Sequence, residues 1–319
     1  MNDSVPAGQS PGATAPAPGA RRLAGRAGAR WPRARIALLP YALILPLLLL
    51  LTLVMAYPLL YEVNLSLRQE VLYIPQTPFV GLGNFRRILG DNQFWSSIWL
   101  TLIWTVSCLI FQGVLGLGLA LIFNRGLPGS RFFRALFLAP WVMPGVVVAI
   151  IWQWMYQPIF GILNTALTDV GLPTRQWLSD PSTVLPAVIV VNVWKGFPFW
   201  MTMLTAGLQT VPRDLYEAAT VDGAGTWARF RHITVPSLKT VLTITTILSF
   251  VWTFNYLDLI YVMTGGGPAN LTQIFPVYIY QTAFQGQQLG LASAASMILF
   301  VAMTLVMILY LRVARVRGV

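Results

Sequence analysis

Six long apolar runs with almost no charge constrain the fold of this chain more than any other feature. A helix needs about 20 mostly apolar residues to cross the hydrocarbon core of a bilayer. Of the 319 residues, 56% are hydrophobic and only 10% are charged, which is too few charges for an ordinary soluble domain. We therefore predict an all-α integral membrane protein with six transmembrane helices. The predicted spans are Ile36 to Tyr61, Ser97 to Phe123, Phe132 to Met155, Val184 to Gln209, Thr240 to Met263 and Gly290 to Leu311.

The basic residues predict the orientation of these spans. Arginines precede the first span, lie between the second and third spans, and follow the last one, whereas the alternate connections carry no basic excess. The positive-inside rule therefore predicts that both termini are cytoplasmic. Residues 1–35, rich in Ala, Gly, Pro and Arg, are predicted to be a disordered basic cytoplasmic tail. Residues 36–319 are predicted to form the membrane domain.

Composition also excludes several classes of function. The net charge of +11 lies in short groups beside apolar runs, and it forms no basic face for nucleic acid. The one cysteine, Cys108, is inside an apolar run, so an internal disulfide and a thiolate-ligated metal site are excluded.

Aromatic residues are expected at the outer ends of the spans, where such side chains favour the interface between lipid and water. The residues assigned to this outer belt are Tyr57, Tyr61, Phe94, Trp95, Trp99, Trp152, Trp154 and Tyr156.

The connection between the fourth and fifth spans, residues 211–236, predicts two short helices around a bend. Pro212 suits a first helical position, Gly223 permits a left-handed ending, and Thr226 can cap the next helix. Such a compact segment could fit a cleft in a partner. An amphipathic helix on the inner leaflet explains the same pattern, and periodicity alone does not separate the two.

A motif in this connection resembles the EAA motif of ABC importer permeases. It reads Glu217-Ala218-Ala219, three residues, Gly223, nine residues, Ile233, one residue, Val235-Pro236, with Val235 in place of the usual leucine. Other segments resemble the sugar branch, of the maltose and glycerol-phosphate type. These are residues 206–209, 222–224, 258–268 and 79–85. The resemblance extends from Ile36 to the C-terminus.

The resemblance implies a permease subunit in a bacterial or archaeal inner membrane, and not an enzyme. It assigns coupling to a separate ATPase to Glu217, Ala218, Ala219, Asp222 and Gly223. It also implies a second homologous permease, two ATPase subunits and an extracytoplasmic sugar-binding protein. ATP and Mg²⁺ would be bound by the partner ATPase, because this sequence has no Gly-rich phosphate loop with Lys and Ser/Thr.

Two helix faces are candidates for the substrate path. Asn192, Gly196 and Phe199 share one face of the fourth span beside Lys195, while Ser249, Trp252, Thr253 and Tyr256 share one face of the fifth. Polar groups mixed with aromatic rings suit a sugar, but contacts between helices explain the pattern equally well. The family resemblance favours the sugar path.

The two ionisable residues within the spans, Lys195 and Asp258, are expected at different depths. Lys195 lies about 16 Å below the outer edge of its span, and Asp258 about 5 Å from that edge. We therefore expect them not to be partners. Asp258 is predicted to be an interface residue or a cap for the Gly265–Pro268 loop, and Lys195 either lines the path or extends toward water.

Two other classes of function remain for comparison. An ion-driven secondary transporter needs titratable groups or broken helices near the membrane middle, and one lysine supports it weakly. An intramembrane enzyme needs a catalytic cluster, but the only histidine, His232, is in the cytoplasmic connection.

Overall fold

The computed structural model describes residues 33–74 and 76–316, and this part of the chain is helical. Apart from one isolated bridge between Arg68 and Phe79, its regular structure consists of helices. They are α1 Arg33–Ser66, α2 Gly83–Leu89, α3 Asn92–Phe123, α4 Ser130–Val142, α5 Gly145–Met155, α6 Ile162–Asp169, α7 Val184–Gln209, α8 Arg213–Val221, α9 Thr226–Arg229, α10 Val235–Ser237, α11 Lys239–Phe254, α12 Asp258–Thr264, α13 Phe275–Tyr280 and α14 Leu289–Val316. Single π-helical turns follow α9 and α13, at Phe230–Thr234 and Gln281–Gln285. The prediction of an all-α chain is confirmed for the described residues.

The described residues divide into two units, the first ending at Tyr57 and the second beginning at Pro58. The described part of the first unit is the beginning of α1, which starts at Arg33. Most of its large apolar side chains from Tyr41 to Tyr57 are exposed, as expected for a helix that needs an apolar environment. Most of the predicted tail, residues 1–32, lies outside the described residues.

Within residues 33–74 and 76–316, four helices are long and apolar enough to cross a membrane, and two bent helix pairs raise the number to as many as six if each pair is one span. The first bent pair joins α4 and α5 at an angle of 98°. The prediction of one continuous third span from Phe132 to Met155 is therefore wrong. Met143 has an extended backbone before Pro144, because the proline ring disfavours a helical conformation in the residue before it.

The fifth predicted span, Thr240 to Met263, is also interrupted. Helix α11 ends at Phe254, and Asp258 begins a separate short helix, α12, that packs against α5. The segment before α11, residues 226–237, is bent by 64° from it.

Helices α3 and α7 form the main packed pair of the second unit. Small residues permit the close approach: a side chain at Gly116 would collide with Trp200, and a side chain at Gly196 would collide with Gln112. Gly113 also faces Trp200, whereas Gly118 has no such neighbour within 4 Å. This pair forms the rigid frame on which the candidate site is built.

The predicted aromatic belt is only partly correct. Phe94, Trp152 and Tyr156 are buried in the protein core and are therefore not interface residues. Tyr156 Oη donates a hydrogen bond of 3.0 Å to Ala187 O, which satisfies the hydroxyl inside the core. Trp99 and Trp154 remain exposed, as the belt requires.

Candidate functional site

One small cavity in the second unit is lined by all eight residues assigned to the substrate path. Its volume is about 80 Å³. Side chains of α7 and α11 form most of its lining, and Gln112, Trp141 and Tyr256 complete it. The complete lining is Gln112, Trp141, Asn192, Lys195, Gly196, Phe199, Ser249, Trp252, Thr253 and Tyr256. The structure thus brings together residues that are up to 144 positions apart, from Gln112 to Tyr256. Their role in transport stays a prediction.

Three aromatic rings form one wall of this cavity. Phe199 stacks on Trp141 with ring centroids 5.9 Å apart and an interplanar angle of 22°. Phe199 also meets Trp252 edge to face, with ring centroids 4.9 Å apart. Because Trp252 is 48% exposed, part of its ring surface is free for contact with the apolar face of a ligand such as a sugar ring.

The cavity lining also includes polar groups that have no hydrogen-bond partner within the described residues. Asn192 is 5% exposed, and neither its Nδ2 nor the Tyr256 hydroxyl has a hydrogen-bond partner in the described part of the chain. The Cys108 thiol lies beside Asn192, but sulfur is a weak acceptor. Buried polar groups normally have a partner, so these two atoms are available for a ligand or water.

Gln112 holds the polar side of the cavity in place. Its Nε2 donates a hydrogen bond of 3.0 Å to Asn192 O across the α3–α7 contact. This bond fixes the position of the α7 backbone beside the cavity. Gly196 makes the contact possible, because a larger residue would displace the glutamine.

Lys195 and Asp258 form no salt bridge within the described residues, but the carboxylate is near enough to act on the ammonium group, which the depth estimate did not anticipate. Lys195 Nζ donates to Trp141 O at 3.4 Å, and the Asp258 carboxylate attracts the Lys195 ammonium group. Asp258 also lies against Gly145, where a side chain would collide with it. The early end of α11 and the break between α4 and α5 bring the two charges to the same region.

Asp258 also does not cap the Gly265–Pro268 loop. That loop is held by Thr264 and Thr272, whose hydroxyls are 2.7 Å apart, and by a bond of 2.8 Å from Thr272 Oγ1 to Gly267 O.

Two lining residues, Gln112 and Trp141, were absent from the predicted path. A glutamine within an apolar span is itself a signal, because an unpaired amide is unfavourable in hydrocarbon. Trp141 gives no comparable signal, since its position depends on the bend that follows α4.

The connection between α7 and α11 forms a second candidate site, which exposes the residues assigned to ATPase coupling. None of the nine residues of α8 is buried against the described part of the chain. Glu217, Ala218, Asp222 and Gly223 are exposed, and Ala219 is partly buried. Large apolar side chains beside them are also exposed, including Leu215 and Val221. A short helix with this surface is suited to a partner protein.

The bend in this connection has a well-defined geometry. Gly223 has a φ of +77°, as predicted, and Ala224 N donates to Ala219 O at 2.8 Å. Two side-chain bonds join the two sides: Tyr216 Oη lies 3.0 Å from Thr234 Oγ1, and Arg229 Nη1 donates to Thr220 Oγ1 at 2.9 Å. The two predicted short helices are therefore present and tied together.

The predicted ends of these helices were shifted by one residue. Pro212 occupies the N-cap of α8, and the helix begins at Arg213. Gly225 occupies the N-cap of α9, so Thr226 is its first residue and makes no capping bond.

Comparison with known proteins identifies the family of the chain. Residues 112–317 match the family described as binding-protein-dependent transport system inner membrane component. The trehalose/maltose transport system permease protein MalF of Thermococcus litoralis is 38% identical over 283 residues, which cover 89% of this chain and 96% of that protein. The trehalose transport system permease protein SugA of Mycobacterium tuberculosis is 34% identical over 288 residues, which cover 90% and 91% respectively.

A solved structure supports the fold independently. A chain of a bacterial ABC transporter involved in the import of the acidic polysaccharide alginate matches with a TM-score of 0.79, covering 91% of this chain and 99% of that one. At 22% identity this likeness concerns the fold alone. The family match and the identity to these relatives mean that the chain belongs to the binding-protein-dependent transport system inner membrane components, the permease subunits of ABC importers.

Proposed function

We propose that this permease carries a sugar, and that the cavity between α3, α7 and α11 is part of its path. The observation that carries the proposal is the pairing of an aromatic wall with two buried polar groups that lack partners. Sugars present hydroxyls for hydrogen bonds and apolar ring faces for aromatic contact, so this lining suits them. Relatives named for trehalose and maltose transport support the same class of substrate.

The size of the cavity indicates that this chain supplies only part of the binding site. Its 80 Å³ is well below the roughly 300–1,000 Å³ of a typical small-molecule pocket. A second permease subunit would complete the site, and movement of α7 relative to α11 would enlarge it. The aromatic wall and the polar groups of this chain would then form one side of the passage.

Transport requires energy from partner chains in this proposal. The exposed segment α8–α9 docks on an ATPase subunit, which binds ATP and Mg²⁺, and a second ATPase pairs with the other permease. A sugar-binding protein delivers the substrate outside the membrane. The family description, which names dependence on a binding protein, supports this last partner.

The proposed topology has six crossings, with each bent pair counted as one crossing and both termini in the cytoplasm. We expect a cysteine at Thr174 to react with an impermeant label applied outside intact cells, and a cysteine at Ser130 to react only after permeabilisation. Cys108 is buried, so the background should be low, and a Cys108→Ala version provides the control. The reverse labelling pattern would contradict this topology.

Uptake measurements in proteoliposomes test the proposed function. We expect labelled trehalose to accumulate only when this chain is combined with its partner permease, its ATPases and its binding protein, and only with ATP. The chain alone should be inactive, even with a proton or sodium gradient. Gradient-driven uptake by the single chain would instead indicate a secondary transporter.

A further inference from the structure

The break between α4 and α5 lies between two opposite charges. Lys195 Nζ donates to Trp141 O, which belongs to the last turn of α4. Asp258 lies at Gly145, the first residue of α5. The C-terminus of a helix carries partial negative charge and the N-terminus partial positive charge. Each side chain therefore lies at the helix end that stabilises its charge.

The two charges also balance each other. Asp258 attracts the half-buried Lys195, and charged groups at membrane depth are retained mainly where they are paired. Lys195 lines the cavity directly, whereas Asp258 is not part of the lining and lies beside Gly145, which the Tyr256 hydroxyl also approaches. A substrate would thus meet the ammonium group first, with the compensating carboxylate next to it.

We propose that Asp258 is a specificity-determining positioning residue, which offsets the charge of Lys195 so that the passage accepts uncharged saccharides and disfavours anionic ones such as uronates. This inference rests on the proposed sugar path and narrows its substrate class. An uncharged sugar can accept a hydrogen bond from Lys195 while Asp258 still offsets the charge of the ammonium group. A uronate would compete with Asp258 for the ammonium group and would be repelled by the carboxylate, which is costly where little water screens the charges.

A double-mutant cycle in the reconstituted complex tests the charge balance. We expect Asp258→Asn to lower trehalose uptake about fivefold or more, because the uncompensated Lys195 then retains anions from solution. Lys195→Met should also lower uptake. The combined variant Lys195→Met/Asp258→Asn should recover to within about threefold of the wild type, because no unpaired charge remains. Asp169→Asn, at an exposed aspartate of α6, is the matched control and should change nothing.

Competition with an anionic sugar distinguishes a charge-balancing role of Asp258 from a purely structural one. A large excess of glucuronate on both faces of the membrane should inhibit the residual uptake by Asp258→Asn and leave that of the wild type unchanged. Glucose at the same concentration should affect both proteins equally. Equal sensitivity of the two proteins to glucuronate would overturn the inference.

Co-purification with the partner chains measures whether each variant assembles, and this distinguishes the remaining outcomes. If Asp258→Asn fails to assemble but the combined variant assembles, the charge balance is supported. If the single and combined variants are equally impaired, in assembly or in uptake, Asp258 acts through packing and the inference is wrong. If the wild-type complex is assembled and takes up no neutral disaccharide, the proposed function itself fails.

Discussion

Replacing Gly223 by proline should abolish substrate-stimulated ATP hydrolysis by the complete complex. Gly223 has a φ of +77°, whereas proline is restricted to a φ near −65°. The bend after α8 would therefore change, and the exposed surface of that helix would no longer fit its partner. The measurement is ATP hydrolysis with and without the loaded binding protein, at matched amounts of complex. We expect the stimulated rate to fall at least about tenfold, which corresponds to an increase of roughly 1.4 kcal/mol or more in activation free energy.

Two further variants distinguish the effect of the bend at Gly223 from the effect of the exposed surface of α8. Gly225 has a φ of −66° and open space around it, so Gly225→Ala is a matched control that should retain stimulation. Glu217→Lys keeps the backbone but reverses an exposed charge, and it should also remove stimulation. Full stimulation in both Gly223→Pro and Glu217→Lys would mean that this connection lies on the membrane surface and does not couple to the ATPase.

Truncating the cavity lining should reduce sugar uptake strongly. Asn192→Ala and Tyr256→Ala each remove a polar group that has no partner within the described residues, and a neutral hydrogen bond contributes about 0.5–1.5 kcal/mol. Trp252→Ala removes the exposed part of the aromatic wall. We expect each variant to lower uptake of labelled trehalose about five- to tenfold, on the scale of 1.4 kcal/mol per factor of ten.

The control for these variants is Trp99→Ala, because Trp99 is an exposed tryptophan on α3 outside the cavity. Its uptake should stay within about twofold of the wild type, as is usual for surface substitutions. Co-purification of the partner chains shows whether each complex is assembled. Normal uptake by all three cavity variants, or loss of uptake only through failed assembly, would refute the proposed path.

The candidate path could be predicted because it depends on features that a sequence records directly. The 3.6-residue repeat places Asn192, Gly196 and Phe199 on one face of α7. The helical rise per residue, counted inward from the outer end of the fourth span and outward from the inner end of the fifth, then places Asn192 and Trp252 at the same depth in the membrane. Helix α7 continues through Pro198, and Trp252 lies within α11, so the predicted faces agree with the cavity that the structure contains.

The predictions failed where the backbone departs from a straight helix. Pro144 indicates a break within the third span, but the angle of 98° depends on the packing of α5 against α12. The same packing sets the position of Asp258. The depth calculation assumed a continuous fifth span and therefore placed Asp258 far from Lys195. Trp141 was missed for this reason as well, because it reaches the cavity from the end of α4. Contacts between distant segments carry no local pattern in a single sequence.

A structure of the complete complex, determined by electron cryo-microscopy with trehalose trapped during transport, would locate the sugar within the passage. We expect sugar density between α7 and α11, against the Trp252 ring and within hydrogen-bonding distance of Asn192 Nδ2 and the Tyr256 hydroxyl. Sugar density that contacts only the partner permease, with Asn192 and Tyr256 still without a ligand, would contradict it.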